Sequence, residues 1–268
     1  MNVPVFPRRN ILREIDRLTT GEYECFAGRL VGFDDPRPSM AADLLLNDAM
    51  CDAIYARFAA RFENFDTRAV ISIWTKWYLD VSLPPLLLAD LLLASGLSVP
   101  LDRVEFIVGD DSGVTAIKMD GAGRDTTDAS AFDRFGHLIF DHFDPLIEMW
   151  SERSEVTRRV LWSNVGNTFE AMLCRVEAVS GSSPRLEQAW HLLNEPLWPG
   201  GRSNPLHAAV YYVADGEALV RRRRICCLQY LLPDSWFCKA CPLDEAKAAA
   251  PDLGRPPTAF GPIGASMR

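Results

Sequence analysis

Apolar residues recur at three- and four-residue steps over most of this chain, which predicts a mainly helical protein. Ile11 to Leu18 predicts a short helix in an otherwise polar, Pro-containing stretch that runs to residue 40. Ala41 to Phe62 predicts another, with Leu45, Ala49, Ala53 and Ala56 near one face. Ala69 to Tyr78 is apolar enough for a buried helix. A separate helix is expected to begin at Pro84-Pro85, where a first-turn proline loses nothing by lacking its N–H, and to stop at Ser95-Gly96. Ala129 to Trp150 reads as helical, with Pro145 starting a fresh turn. Glu155 to Val179 is the longest periodic run, carried by Val156, Val160, Val165, Phe169, Met172, Leu173 and Val176 and slightly weakened by Gly166. Arg185 to Leu193 adds a last helix.

Two β-hairpins interrupt this pattern. The runs Val104 to Val108 and Val114 to Met119 flank Gly109-Asp110-Asp111-Ser112-Gly113, and Ala208 to Val213 and Ala218 to Arg224 flank Asp215-Gly216. In the second hairpin the strand period puts Arg221 and Arg223 on one face and Arg222 and Arg224 on the other. The expected fold class is therefore α+β, predominantly helical with short β-hairpins. Residues 1–207 are expected to form a mainly helical substrate-binding domain, and 208–243 a hairpin with a small C-terminal metal-binding segment. The tail 244–268, rich in Ala, Pro, Gly and charge, is expected to be disordered.

A chain of 268 residues that is 48% apolar can build a sizeable core. Its formal net charge of -8 argues against nucleic acid as a partner. The N-terminus shows no apolar stretch followed by a small-residue cleavage site, so no signal peptide is expected. Leu83 to Leu101 is broken by Pro84-Pro85, Asp90, Gly96 and Pro100. No transmembrane segment is expected, while peripheral membrane association stays open. A cytoplasmic location follows, and a reducing compartment turns thiols toward metal or redox roles.

That matters because four of the seven cysteines, Cys226, Cys227, Cys238 and Cys241, fall in the pattern C-C-x10-C-x2-C. Thiols this close cross-link, bind a metal or hold an iron–sulfur cluster. Disulfides need an oxidising compartment that nothing else supports. Zinc sites usually pair their ligands as C-x2-4-C, and only Cys238 and Cys241 have that spacing. A two-iron cluster takes two thiolates on each iron and tolerates an irregular pair better, so the cluster is favoured with zinc left open. Adjacent cysteines can serve one centre only if the backbone turns sharply around it. The arginines at 221–224 would set such an anionic centre in basic surroundings.

Other candidates are more diffuse. Trp74, Tyr78 and Trp162 could line a pocket or could be core. Arg202 and His207, near a Pro/Gly-rich connector from Asn194 to Gly201, and Arg221 and Arg223 are the polar candidates for substrate contact. His137, Asp141, His142, Asp144 and Glu148 form a rival metal-binding group, but no Glu-x-x-His occurs and the two histidines, five apart, diverge on a helix. Cys25, Cys51 and Cys174 read as small core residues. No Ser/His/Asp set, paired carboxylates or Gly-rich phosphate loop is recognisable.

The run Arg223-Arg-Ile-Cys226-Cys227-Leu-Gln-Tyr230-Leu-Leu-Pro233, followed by Cys238-x-x-Cys241-Pro, resembles the C-terminal signature of ferric siderophore reductases of the FhuF type. Leu161-Trp162-Ser163-Asn164 and the position of the motif near the end agree, whereas the long tail after Cys241 departs from the pattern. The resemblance implies a [2Fe-2S] cluster on the four cysteines. It also implies one-electron reduction of Fe(III) in an imported siderophore, expected to be of hydroxamate type. An external donor such as a ferredoxin or a flavin reductase would supply the electron. The alternatives are a non-catalytic iron–sulfur redox sensor, against which stands the lack of a recognisable DNA-binding helix pair, and a Zn-knuckle binding protein.

Overall fold

The computed structural model describes residues 10–110, 112–215, 218–233 and 235–243. The expected Asp-Gly turn at Gly216 and the expected disordered tail lie outside the described residues. In chain order the regular elements are α1 (Ile11–Leu18), β1 (Leu30–Val31), β2 (Met40–Ala41), α2 (Asp48–Ala59), α3 (Thr67–Leu93), β3 (Ser95–Leu97), β4 (Glu105–Val108), β5 (Val114–Lys118), β6 (Gly123–Asp125), α4 (Ala131–Gly136), α5 (Asp144–Glu152), α6 (Arg158–Ser180), α7 (Pro184–Asn194), β7 (Val210–Asp215) and β8 (Ala218–Arg223). The α+β class, mostly helical with short strands, is what the periodicity predicts.

A small sheet ordered β1-β5-β4-β2, parallel between β1 and β5 and otherwise antiparallel, packs on α3. Strands β3 and β6 form a second pair, and β7 and β8 the hairpin that leads to the cysteines. Helix α3 runs through the middle of the protein, and its most extensive partner is α6.

The helix expected from Ala41 to Phe62 is α-helical only over Asp48–Ala59, after a 3-10 turn at Ala42–Leu46, and a second boundary differs as well. Pro84 and Pro85 lie inside α3, which continues unbroken from Thr67 to Leu93. A proline at 84 has no N–H to give the carbonyl of Asp80 four residues back. Arg29, from the loop before β1, donates to that carbonyl instead. The helix therefore survives because a distant side chain replaces the missing local bond.

The interior also reassigns two pocket candidates. Trp74 and Tyr78 are 1% and 0% exposed. Trp74 donates from Nε1 to the carbonyl of Ser112 at 3.0 Å, and Tyr55, Phe106, Phe143 and Trp150 pack edge-on against the two rings. They are core, because every face of each ring is taken. Trp162 on α6 is buried as well.

The rival histidine group does not assemble. Between α4 and α5 the chain forms a π-helical turn, His137–Phe143. His137 lies on the surface beside Asp141 at 2.8 Å, whereas His142 points inward, with Nδ1 2.5 Å from the carbonyl of Val99 and Nε2 against the hydroxyl of Tyr78. Burial lowers the His142 pKa to about 4, so the ring is neutral.

Candidate metal centre

Strand β8 brings the chain to the centre, and its arginines divide by face as a strand requires. Arg221 and Arg223 both point at α6. Arg221 donates through Nε to Glu170 and, at 2.8 Å each, through its two terminal nitrogens to the side chain and carbonyl of Asn167. Arg223, one strand repeat on, donates to Asn164 Oδ1, to Ser163 Oγ at 3.3 Å and to the carbonyl of Ile225 at 3.2 Å. On the other face Arg222 reaches the carbonyls of Lys239 and Cys241 at 3.3 and 3.4 Å, and Arg224 lies over the ring of Tyr211. The backbone of Arg223 also donates to the carbonyl of Ala240 at 2.8 Å. The end of β8 therefore holds both halves of the cysteine motif.

The adjacent cysteines get the sharp turn they need from Leu228, whose φ of 63° and ψ of 6° place it in the left-handed region. That conformation is costly for a branched residue. It turns the N–H of Leu228 back onto Cys226 Sγ at 3.3 Å. The N–H of Gln229 reaches the sulfur of Cys227. Near the other end of the motif Cys241 N–H donates to the carbonyl of Cys238 at 2.9 Å, the tight knuckle that a C-x-x-C spacing allows.

Helices α3 and α6 supply the floor. Ser72 Oγ donates to the carbonyl of Cys227 at 2.9 Å and accepts at 3.1 Å from Asn164 Nδ2, which also donates to the Ser72 carbonyl at 3.2 Å. Ser72 and Asn164 are both 0% exposed. One turn beyond Ser72, Lys76 Nζ lies 3.9 Å from Cys227 Sγ and 3.0 Å from Gln229 Oε1.

The four thiols stand as two contacting pairs, Cys226 with Cys241 and Cys227 with Cys238. Among the described residues no three His, Cys, Asp or Glu side chains close around a single ion. Two thiol pairs match the needs of two metal ions better than those of one tetrahedral zinc. Cys227 and Cys241 are buried, and Cys226 and Cys238 are partly open to solvent. The Cys227 thiol is lowered to about 5, first by the hydrogen bond from Cys238, then by the charges of Lys76 and Arg223 and the Gln229 N–H, against the effect of burial. Its partner Cys238 is raised, because it keeps the proton of the pair. Burial raises Cys226. Thiolates, N–H donors on sulfur and nearby cations form the donor set an iron–sulfur cluster requires. The remaining thiols do not join it. Burial pushes Cys51 up to about 11 and Cys174 up to about 12, and Cys25 is exposed beside Arg175.

Around the open side lie Tyr230, Trp236 and Phe237, 39%, 86% and 54% exposed. Phe237 immediately precedes Cys238 and stacks obliquely on Tyr230, their centroids 5.6 Å apart.

A family model described as "Ferric iron reductase FhuF-like transporter" matches residues 72–220, and one described as "FhuF 2Fe-2S C-terminal domain" matches residues 223–243. The chain belongs to the FhuF-like family. Membership makes it an iron–sulfur oxidoreductase with a [2Fe-2S] cluster, and the second match spans all four paired cysteines. The ferric siderophore reductase of Escherichia coli (strain K12) is 25% identical over 248 residues, covering 88% of this chain and 92% of that protein. Among solved structures, aerobactin synthetase IucA from a hypervirulent pathotype of Klebsiella pneumoniae superposes with a TM-score of 0.51 at 12% identity. It covers 65% of this FhuF-like chain and 39% of the synthetase. Its ATP-bound form gives 0.50 at 13% identity, covering 65% of this chain and 38% of the synthetase. These likenesses concern the fold alone.

For the FhuF-like chain, the substrate-facing candidates need revision. Arg223 is 1% exposed and spends its guanidinium on interior acceptors, so it braces the site and has no face for a substrate. Arg221 commits all three nitrogens to α6. Arg202 and His207 are exposed. Arg202 pairs with Asp144 at 2.7 Å and lies over Phe140, 3.6 Å from the ring centroid, so its contacts are away from the sulfurs. Sequence reasoning missed Ser72, Lys76 and the bracing role of Asn164. A polar stripe at Ser72, Lys76 and Asp80, spaced by four along an otherwise apolar helix, is the signal that marks them.

Proposed function

We propose that this chain is a cytoplasmic ferric-siderophore reductase acting on imported siderophores of hydroxamate type. Cys226, Cys227, Cys238 and Cys241 would hold its [2Fe-2S] cluster. The observation that carries this reading is the folding of C-C-x10-C-x2-C into two thiol pairs with one open, aromatic-rimmed side. When bound, the cluster supplies single electrons, delivered to it by an external donor such as a ferredoxin or a flavin reductase. Siderophores grip Fe(III) through hard oxygen donors and hold Fe(II) far less tightly, so one electron releases the iron. The chain's own tasks are to pin the thiolates, keep Cys227 and Cys241 dry and leave Cys226 and Cys238 approachable. The mainly helical body, 1–207, carries the hairpin and cysteine unit, 208–243.

One-electron transfer needs close approach to the centre and does not need enclosure of the chelate. The cleft between Glu170, Trp190, Tyr211 and Arg224 holds about 110 Å³, below the ~300 Å³ at which small-molecule pockets begin. Tyr230, Trp236 and Phe237 offer apolar area beside the sulfurs to a chelate that must come close but need not be enclosed. Arg202 and His207 are the exposed polar candidates farther along the surface.

The test is anaerobic purification followed by mixing the dithionite-reduced protein with ferric hydroxamate and catecholate complexes, trapping Fe(II) with a chromogenic chelator. Stoichiometric Fe(II) from the hydroxamate complex, with loss of the reduced cluster signal, is the expected result. A cluster that keeps its electron in the presence of every complex would make the protein a sensor, and a colourless zinc protein without acid-labile sulfide would overturn the ligand set.

A further inference from the structure

Two cations face the thiol pair Cys227–Cys238, and they differ in kind. Arg223 is sealed in, tied to Asn164, Ser163 and Ile225, and its loss would disturb the brace under the whole motif. Lys76 is half-buried on α3, its ammonium held between Gln229 Oε1 at 3.0 Å and Cys227 Sγ at 3.9 Å. Both Cys227 and Cys238 feel the charges of Lys76 and Arg223, and Arg223 acts on Cys226 as well. Lys76 thus sets a half-buried ammonium directly against one thiol of the centre, Cys227.

We propose that Lys76 sets the reduction potential of the centre, with Gln229 as the clamp that fixes its ammonium against Cys227. This inference rests on the reading of the four cysteines as cluster ligands. Gaining one electron adds one negative charge to the sulfur-bound group. A fixed cation a few ångströms away, partly shielded from water, lowers the energy of the reduced form more than that of the oxidised form. No bond forms at Lys76 and no proton leaves it. The electron comes from the external donor and goes on to Fe(III), and the lysine contributes only its field. Without Gln229 a flexible lysine stem would swing into solvent, where water and salt screen the charge. Lys76 is therefore a positioning residue acting through Cys227. A solvated lysine that merely covers apolar surface would leave the potential where it is.

The experiment is an equilibrium redox titration, followed by EPR, of the loaded wild type and of Lys76→Met, Lys76→Gln and Lys76→Arg, each with its iron and acid-labile sulfide content measured. Lys76→Met and Lys76→Gln are expected to keep the cluster and to shift the midpoint negative by about one decade in the equilibrium, ~59 mV for a one-electron couple. Lys76→Arg is expected to return close to wild type. A loaded Lys76→Met protein with the wild-type midpoint, or an arginine variant as low as methionine, overturns the proposal. Should Lys76→Met lose its cluster, Gln229→Leu replaces it. A smaller negative shift supports the clamp, and an unchanged midpoint overturns it. Absence of a [2Fe-2S] spectrum in the wild type would instead overturn the ligand reading itself.

Discussion

Asn164 and Arg223 meet in the buried seam between α6 and β8. The guanidinium donates to Asn164 Oδ1 while the amide nitrogen of the same side chain donates to Ser72 Oγ at 3.1 Å. Ser72 passes the relay on to the carbonyl of Cys227, 2.9 Å away. Four parts of the chain are thereby keyed together without a water-exposed link. Asn164→Leu fills the space but leaves Arg223 and Ser72 unmade, at about 1–3 kcal/mol for each. Thermal unfolding should fall by several degrees, and iron should pass faster to an external chelator. An unchanged chelation rate would show that the relay does not hold the Cys227 loop.

Stripping the metal should destabilise the protein through Arg223. Burial lowers the pKa of this arginine, and the nearby thiols Cys227, Cys238 and Cys226 pull it back up. With all the thiolates held by iron the buried cation has several countercharges; once Cys226 and Cys238 regain protons, Cys227 alone of these three is left to balance it. Melting curves of loaded and stripped protein should therefore differ widely in the wild type and less in Arg223→Met. Equal gaps in the two proteins would remove the buried charge from the explanation.

Serine substitution separates ligands from bystanders. Cys226→Ser, Cys227→Ser, Cys238→Ser and Cys241→Ser should each lose or weaken the visible cluster absorption and the acid-labile sulfide. Cys51→Ser and Cys174→Ser should keep both, because burial pushes those thiols up to about 11 and about 12, away from any ligating form at neutral pH. Cys25→Ser should behave like them. Retained spectra in Cys226→Ser would contradict the pairing.

His142 predicts a loss of stability in acid. Its folded pKa is about 4 against an ordinary 6.5, because burial disfavours the charged ring. The unfolded state therefore binds the proton first as the pH falls. Stability attributable to the neutral ring is complete above about 6.5 and declines to its full loss near 4, about 3 kcal/mol in all. Asp80 acts in the opposite sense, since burial raises it to about 6 and its folded form takes up a proton early. Denaturant unfolding of wild type and His142→Asn across this range isolates the histidine: the wild type should show the steeper acid loss, and parallel curves would refute it.

Gly166 is read along the chain as a small flaw in a long helix, but it makes room for the hairpin. A Cβ there would lie 2.5 Å from the Cβ of Ala209 and 3.4 Å from the carbonyl of Leu206. Gly166→Ala should therefore destabilise by roughly 1–3 kcal/mol from overpacking, despite the better helix propensity of alanine. A stabilised variant in urea melts would show that the 206–209 segment yields easily.

What could be read in the sequence and what could not divide along one physical line. The cysteine spacing, the alternation of Arg221 to Arg224 and the helical period of α6 are local, and the structure follows them. The continuity of α3 through Pro84 was not legible, because the group that rescues the helix is Arg29, 51 residues from the carbonyl it serves. Lys76 was not legible as a partner of Cys227 for the same reason, with 151 residues between them. Trp74 and Tyr78 look the same in sequence whether they line a pocket or fill a core. Only the rings that surround them decide.

The span from Ser72 to Cys227, 155 residues, also governs how the site is made. Both helices that receive the cysteine loop are complete long before Cys226 is synthesised, so the sulfurs close onto a body that already exists. A chain halted between α7 and β8 would carry Ser72, Ser163 and Asn164 in place with nothing to hold. On the reading of the four cysteines as ligands, a loaded cluster therefore requires that α3 and α6 already stand beneath the loop.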